Sequence, residues 1–343
     1  MPFPPVVVSG IQPSGTLHIG NFLGAIRQNV ALANDPARSR EAFLFIVNYH
    51  ALTTLRDADA LRRYSLDVAL DYLALGLDPA RAHLFLQSDV PQLGELTWIF
   101  LCLTPVSQLE KGVAYKDKVA QGLSANAGLF TYPILQAADI LAYGAPGAGL
   151  VVPVGQDQKQ NLEISRDLAI RFNQTFGEAA GAPDLFPVPE PLILDEVAVV
   201  PGIDGRKMSK SYGNTIGIFD EGADLKKKVM SIVTDSTPLE APKDPDDDHV
   251  FALIRLFASP AERDEIAAAY RAGGYGYGHA KKALLRLIDE AFGEARERRR
   301  TLAARPDDVM DVLRDGAVAA RARASEVLGR VRDAVGFLAT MPP

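Results

Sequence analysis

Ser9-Gly10-Ile11-Gln12-Pro13-Ser14-Gly15-Thr16-Leu17-His18-Ile19-Gly20-Asn21 is the stretch around which the chain is organised. Before it, Val6-Val7-Val8 reads as a short buried strand. After it, Phe22, Leu23, Ile26 and Val30 carry the apolar spacing of a helix over 22–33. A Gly- and Pro-punctuated loop therefore joins a strand to a helix start. Its glycines allow close backbone approach to a ligand. Exposed amides and the positive end of the helix dipole favour an anion there.

Downstream, Phe43-Leu44-Phe45-Ile46-Val47 reads as a second buried strand and His83-Leu84-Phe85-Leu86-Gln87 as a third. Between them 57–75 has helical spacing, stopped by Gly76 with Pro79 beyond. Strand–helix alternation predicts an α/β fold, a doubly wound parallel sheet of the nucleotide-binding, Rossmann-like kind, with ligands at the carboxyl ends of its strands. Residues 92–147 break the alternation and read as a helical insertion. A strand at 150–154 and a helix at 156–176 resume it. The Gly, Ala and Pro of 177–191 suggest a linker, and 202–213 a flexible loop. From His249 onward the pattern is helical, ending in a long helix near 307–337. The expected domains are a catalytic domain over 1–195, a loop region over 196–215, and an all-helical region over 216–343 whose last helix packs back on the first domain.

The 343 residues are 48% hydrophobic and 23% charged, ordinary for a globular protein. No apolar run reaches the roughly 18 residues of a membrane helix. The N-terminus lacks a basic region before its apolar run, so no signal peptide is expected. The single cysteine, Cys102, excludes an internal disulfide and a multi-cysteine metal site. It sits in the apolar run Trp98–Leu103 and reads as core packing. Together these features predict a cytoplasmic protein. The net charge of −7 argues against non-specific nucleic-acid binding. Yet residues 280–332 hold thirteen Lys or Arg against nine Asp or Glu, a place where an RNA backbone could be held.

Two further stretches carry chemistry. Lys207-Met208-Ser209-Lys210-Ser211, flanked by Gly205 and Gly213, suits a mobile loop that clamps a polyphosphate. In Thr131–Leu141, Tyr132, Gln136 and Asp139 fall on one helical face. A carboxylate on so apolar a helix needs a donor, such as an indole N–H or a phenol O–H.

His18-Ile19-Gly20-Asn21 resembles the first signature of class I aminoacyl-tRNA synthetases, with Asn in place of the usual last His. Lys207–Ser211 is their second signature, KMSKS, unaltered. With Phe45-Ile46-Val47, Ser107–Glu110, Tyr115–Lys118, Leu150–Val154, Val229–Thr234 and Arg314–Ala317, the whole chain resembles the bacterial tryptophanyl-tRNA synthetase family. The resemblance implies ATP with Mg2+, L-tryptophan and tRNA-Trp as ligands, and a homodimer. It implies that Asp139 accepts the indole N–H, and that Tyr132 and Gln158 hold the ammonium and carboxylate end. Val8, Gln12, Gln136 and Val154 complete that pocket. Gln12, Pro13, Ser14, His18, Gly20, Asn21, Gly155, Gln156 and Asp157 match the ATP site, with Val200 near the adenine. Met208 and Ser209 belong to the same site. Lys118, Lys207 and Lys210 match lysines that engage the phosphates, with His18 and Asn21 at the phosphate chain. Arg314 and Arg321 are the expected tRNA contacts. No protein-held metal is expected.

The chain departs from that family's pattern at four positions. Val8 stands where Phe is frequent, Gln136 where Met is usual, His18 where Thr is common, and Asn161 for a usual His. The first two predict a looser, more polar indole pocket. Tyr132-Pro133, Gln136 and Asp139 also resemble archaeal-type tyrosyl-tRNA synthetases, which makes tyrosine the alternative amino acid. A different nucleotidyltransferase, or a paralogue that binds tryptophan or a partner without charging tRNA, are the readings from other classes.

Overall fold

The structure, a computed structural model, describes residues 4–112, 115–116, 120, 125–144, 147–154, 159–193 and 199–338. They divide into two compact units: Met1–Gly15 with Gln28–Leu194 and Leu302–Pro343, and Thr16–Arg27 with Asp195–Thr301.

In the first unit, β1 (Val6–Ile11), β2 (Glu41–Ile46), β3 (Ala82–Leu86), β4 (Leu150–Val154) and β5 (Glu190–Ile193) form one parallel sheet in the order β3-β2-β1-β4-β5. Val6, Val7 and Val8 are all buried, so β1 is covered on both faces, as a central parallel strand must be. The connecting helices are α1 (Arg27–Asn34), α2 (Ala58–Ala74), α3 (Gln92–Leu103), α4 (Ala127–Leu141) and α5 (Lys159–Phe172). Asp57 caps α2, accepting from the backbone N–H groups of Asp59 and Ala60. Strand order reverses beside β1. There β1 pairs with β2 along its whole length, Val6↔Glu41 to Ile11↔Ile46, but with β4 only at Val6↔Leu150 and Val7↔Val151. Past Val7 the ladder to β4 ends, which opens the strand-end crevice where such sheets bind ligands.

Two expectations change. The stretch 177–191 is not all linker: its end forms the edge strand β5, where Pro191 is tolerated because an edge strand need not donate to two neighbours. Cys102 is exposed rather than core. On α3, Ile99 and Phe100 face inward, while Trp98 and Cys102, one turn apart, face out, and Trp98 is 67% exposed.

The second unit holds α6 (Gly222–Met230), α7 (His249–Phe257), α8 (Pro260–Ala272) and α9 (Tyr277–Ala303). Its segment Thr16–Arg27 contains a π-helical turn, Phe22–Ile26, where the apolar spacing predicts a plain helix. Phe22 packs edge-on against Phe292 of α9, with ring centroids 5.1 Å apart.

The final helix, α10 (Pro306–Val335), groups with the sheet and lies on β3. It is held by Arg323 to Glu41 (2.9 Å), Arg332 to Glu95 (2.5 Å), and Arg321 to the Asp89 carbonyl. A Cβ at Gly316 would run into the Leu84 carbonyl oxygen. Gly316→Ala must therefore push α10 off β3, and thermal unfolding should show a loss of about 1–3 kcal/mol or more. An unchanged Tm would mean that α10 does not depend on this close approach.

Candidate functional site

In the second unit the first signature is stitched to the segment after KMSKS. Ile19 N–H donates to Ile216 O (3.0 Å), Ile218 N–H to Leu17 O (3.2 Å), and His18 bridges Gly217. Asn21 Oδ1 accepts from the His18 backbone N–H at 3.1 Å. That commits the Asn21 carbonyl oxygen to the loop, so what Asn21 can offer a phosphate is its amide N–H. A Cβ on Gly20 would lie 3.0 Å from His18 Nδ1, which explains glycine there. His18 is 7% exposed, and its Nδ1 has no hydrogen-bond partner among the described residues. Burial, aided by the Lys210 ammonium, lowers its pKa to about 4. At neutral pH His18 is therefore an uncharged imidazole.

The KMSKS segment closes a hairpin: Met208 N–H donates to Val200 O (2.8 Å) and Gly202 N–H to Arg206 O (2.7 Å). Met208 and Val200 are buried, Ser209 and Lys210 half-buried, and Lys207 is exposed. Asn214, 1% exposed, organises the hairpin. Its Oδ1 accepts from Ser209 N–H (2.8 Å), and its Nδ2 donates to Asp204 Oδ1 (2.7 Å) and Lys207 O (3.1 Å). Sequence reasoning misses Asn214, because no local pattern marks an Asn that folds its own preceding loop.

In the first unit, Asp139 on α4 is 1% exposed. It does not wait for a ligand to supply a donor, as the sequence suggests. Gln87 Nε2 donates to both of its oxygens at 2.8 Å, and His50 Nε2 lies 2.9 Å from Oδ2. Burial raises the Asp139 pKa, and the His50 and Gln87 hydrogen bonds oppose that rise. Both partners come from strand ends: His50 from the helical turn Asn48–Ala51 after β2, Gln87 from the end of β3. The two ends are latched by Asn48 Nδ2 to Ser88 Oγ (2.7 Å) and Ser88 N–H to Asn48 Oδ1 (3.0 Å). The Tyr132 and His50 rings meet edge-on at 6.1 Å, and Asn161 Nδ2 donates to Tyr132 Oη at 3.3 Å.

Gln136 is half-buried on α4, Val154 is buried at the end of β4, and Gln12, Pro13 and Ser14 follow β1. Val8 has no exposed surface and belongs to the core of this unit. Lys118, Gly155, Gln156, Asp157 and Gln158 lie outside the described residues. Arg314 and Arg321 are exposed on α10. Arg314 pairs with Asp311 and Arg321 with the Asp89 carbonyl. Much of the basic charge of the C-terminal helices is similarly engaged, as in Arg286 with Glu262 and Glu290, Arg296 with Asp289, and Arg300 with Glu221.

The family profile described as tRNA synthetases class I (W and Y) matches residues 3–293. A tryptophan–tRNA ligase of Rhodopirellula baltica is 51% identical over 331 residues, spanning 96% of this chain and 99% of the relative. One from Fusobacterium nucleatum is 50% identical, spanning 96% and 98%. A crystal structure of tryptophanyl-tRNA synthetase from Campylobacter jejuni, complexed with ADP and tryptophan, matches with a TM-score of 0.87 at 45% identity, covering 97% of this chain and 100% of the other. The chain belongs to the class I tRNA synthetases of the tryptophan and tyrosine family. It is an aminoacyl-tRNA ligase, and these relatives place it on the tryptophan side of that family. The tyrosine alternative gains no support from them.

Proposed function

We propose that the chain activates L-tryptophan with ATP and transfers it to tRNA-Trp. The observation that carries the amino-acid assignment is Asp139, a buried carboxylate held by two protein donors at the strand ends. A carboxylate has about four lone-pair positions, so one remains for a ring N–H. The tryptophan carboxylate attacks the α-phosphate of ATP and pyrophosphate leaves. No side chain serves as covalent nucleophile; positioning and charge stabilisation do the work. Neutral His18 and the Asn21 amide donate to the phosphate chain, and Lys118, Lys207 and Lys210 meet the developing pyrophosphate charge. Gln12 to Ser14, Gly155 to Asp157, and Val200 serve the nucleotide, while Tyr132 and Gln158 serve the amino-acid end. Magnesium enters as the ATP complex, since it takes oxygen ligands and the lysines and imidazole assigned to the phosphates offer none. Charging of a tRNA-Trp transcript with tryptophan tests this reading; pyrophosphate exchange without charging would turn it toward a tryptophan-binding paralogue.

The pocket is relaxed on the indole ring by Val8 and Gln136. Tryptophan analogues with a polar ring substituent should be used better by this chain than by a Val8→Phe, Gln136→Met double variant. Equal analogue preferences, measured as kcat/KM in exchange, would defeat the relaxed pocket.

The tRNA runs over α10. Arg314's pair with Asp311 is solvent-exposed and so weakly held, leaving the guanidinium able to turn to a phosphate. Neutralising Arg314 and Arg321 should weaken tRNA binding and reduce its salt slope by roughly one per lost phosphate contact, with Arg314→Gln alone as the control because Arg321 also holds α10 through the Asp89 carbonyl. Activation should survive; an unchanged slope would send the RNA elsewhere. The functional form is a homodimer, for which the exposed Trp98 and Val106 supply apolar surface. The cytoplasm is the place of work; no described helix is long and apolar enough to cross a membrane.

A further inference from the structure

Gln87 is fully buried, and neither its charge nor its position in the sequence suggests a role. Its two polar ends are both committed. Oε1 accepts the Tyr49 backbone N–H at 3.0 Å, and Nε2 lies 2.8 Å from each Asp139 oxygen. The Tyr49 N–H can only donate, so the amide oxygen must face it. The amide cannot flip, and its NH2 is obliged to face the carboxylate. Tyr49 is in turn fixed by the latch between the ends of β2 and β3.

The geometry points to Gln87 as a positioning and specificity-determining residue: it holds Asp139 as an acceptor-only carboxylate of fixed orientation, so that the site selects a ring bearing an N–H. The inference rests on the tryptophan reading above. His50 cannot replace Gln87, because it reaches only Oδ2. Without Gln87 the buried carboxylate loses the contact that engages both oxygens. It can then turn about its terminal torsion, or take a proton and become a donor itself. A carboxyl that donates toward the ring no longer favours an indole N–H over a ring without one.

The test uses the full-length protein in pyrophosphate exchange with tryptophan and with 3-benzothienylalanine, whose ring sulfur replaces the N–H. Wild type should prefer tryptophan by at least roughly a hundredfold in kcat/KM, on the order expected for a site built around a hydrogen bond. Gln87→Ala should raise the tryptophan KM roughly tenfold or more, with kcat within about threefold, and cut the preference at least roughly tenfold. Gln87→Met keeps the length of the side chain but offers Asp139 no donor and cannot share a proton with it. It should lose the preference equally, with kcat within about threefold. A folded Gln87→Met that keeps the wild-type preference overturns the inference, as does a parallel loss of both substrates in Gln87→Ala through kcat alone. A wild type that does not use tryptophan, or does not prefer it to the isostere, overturns the functional reading instead.

Discussion

Lys210→Ala slows tryptophan-dependent pyrophosphate exchange by roughly tenfold or more, while tryptophan affinity changes little. A tenfold loss requires only about 1.4 kcal/mol of transition-state stabilisation, modest for the proposed role of Lys210 at a leaving pyrophosphate. His18, whose pKa is about 4 beside Lys210, is a poor substitute for the missing charge. Burial is the larger cause of that low value and the Lys210 ammonium the second. The variant should therefore also move the His18 titration upward, toward its ordinary 6.5, in an NMR titration. The sign of the linkage follows. As pH falls from 6.5 toward 4, the unfolded chain binds a proton that folded His18 refuses, so His18 lowers stability over that window. Lys210→Ala should narrow the window. Unchanged exchange by this variant would remove the clamp role.

Asp139→Ala costs more. It removes the proposed acceptor for an indole N–H and leaves two donors, the buried Gln87 Nε2 and the part-buried His50 Nε2, without their partner. Those orphaned donors, at roughly 1–3 kcal/mol each, lower the stability of the fold, and the lost acceptor should cut kcat/KM for tryptophan at least roughly a hundredfold. Asp139→Asn separates reading from packing. Its shape is native, but one of its two polar atoms becomes a donor facing donors. Tryptophan use should still fall at least roughly a hundredfold, with a much smaller change in Tm than Asp139→Ala gives. Retention of tryptophan activity within about threefold by Asp139→Asn would show that the carboxylate does not read the ring.

The elements legible in the sequence are those whose signal is local. Val6–Val8, Phe43–Ile46, Leu84–Leu86 and Leu150–Val154 are continuous apolar runs, and all lie in β1 to β4. β5 is not legible, because Pro191 and its short span resemble a loop until β4 is placed beside it. Cys102 misleads because an apolar run on a helix has an outer face as well as an inner one. The grouping of Thr16–Arg27 with the helical unit depends on backbone pairing with Ile216–Ile218, about 200 residues later, which no window can reveal. The KMSKS signature announces the lysine loop, and the apolar helix around it singles out Asp139. Their supports do not announce themselves. Gln87, His50 and Asn214 are polar residues at strand ends and loop exits, with no periodicity, and only the fold shows what each one holds.

ATP–pyrophosphate exchange measured against each of the twenty amino acids tests most directly the proposed reading of tryptophan by Asp139. Tryptophan should lead, with kcat/KM above that of tyrosine by at least roughly a hundredfold, and phenylalanine should be rejected more strongly still because it offers Asp139 no donor. Preferential exchange with tyrosine, or no exchange with tryptophan, would contradict this assignment.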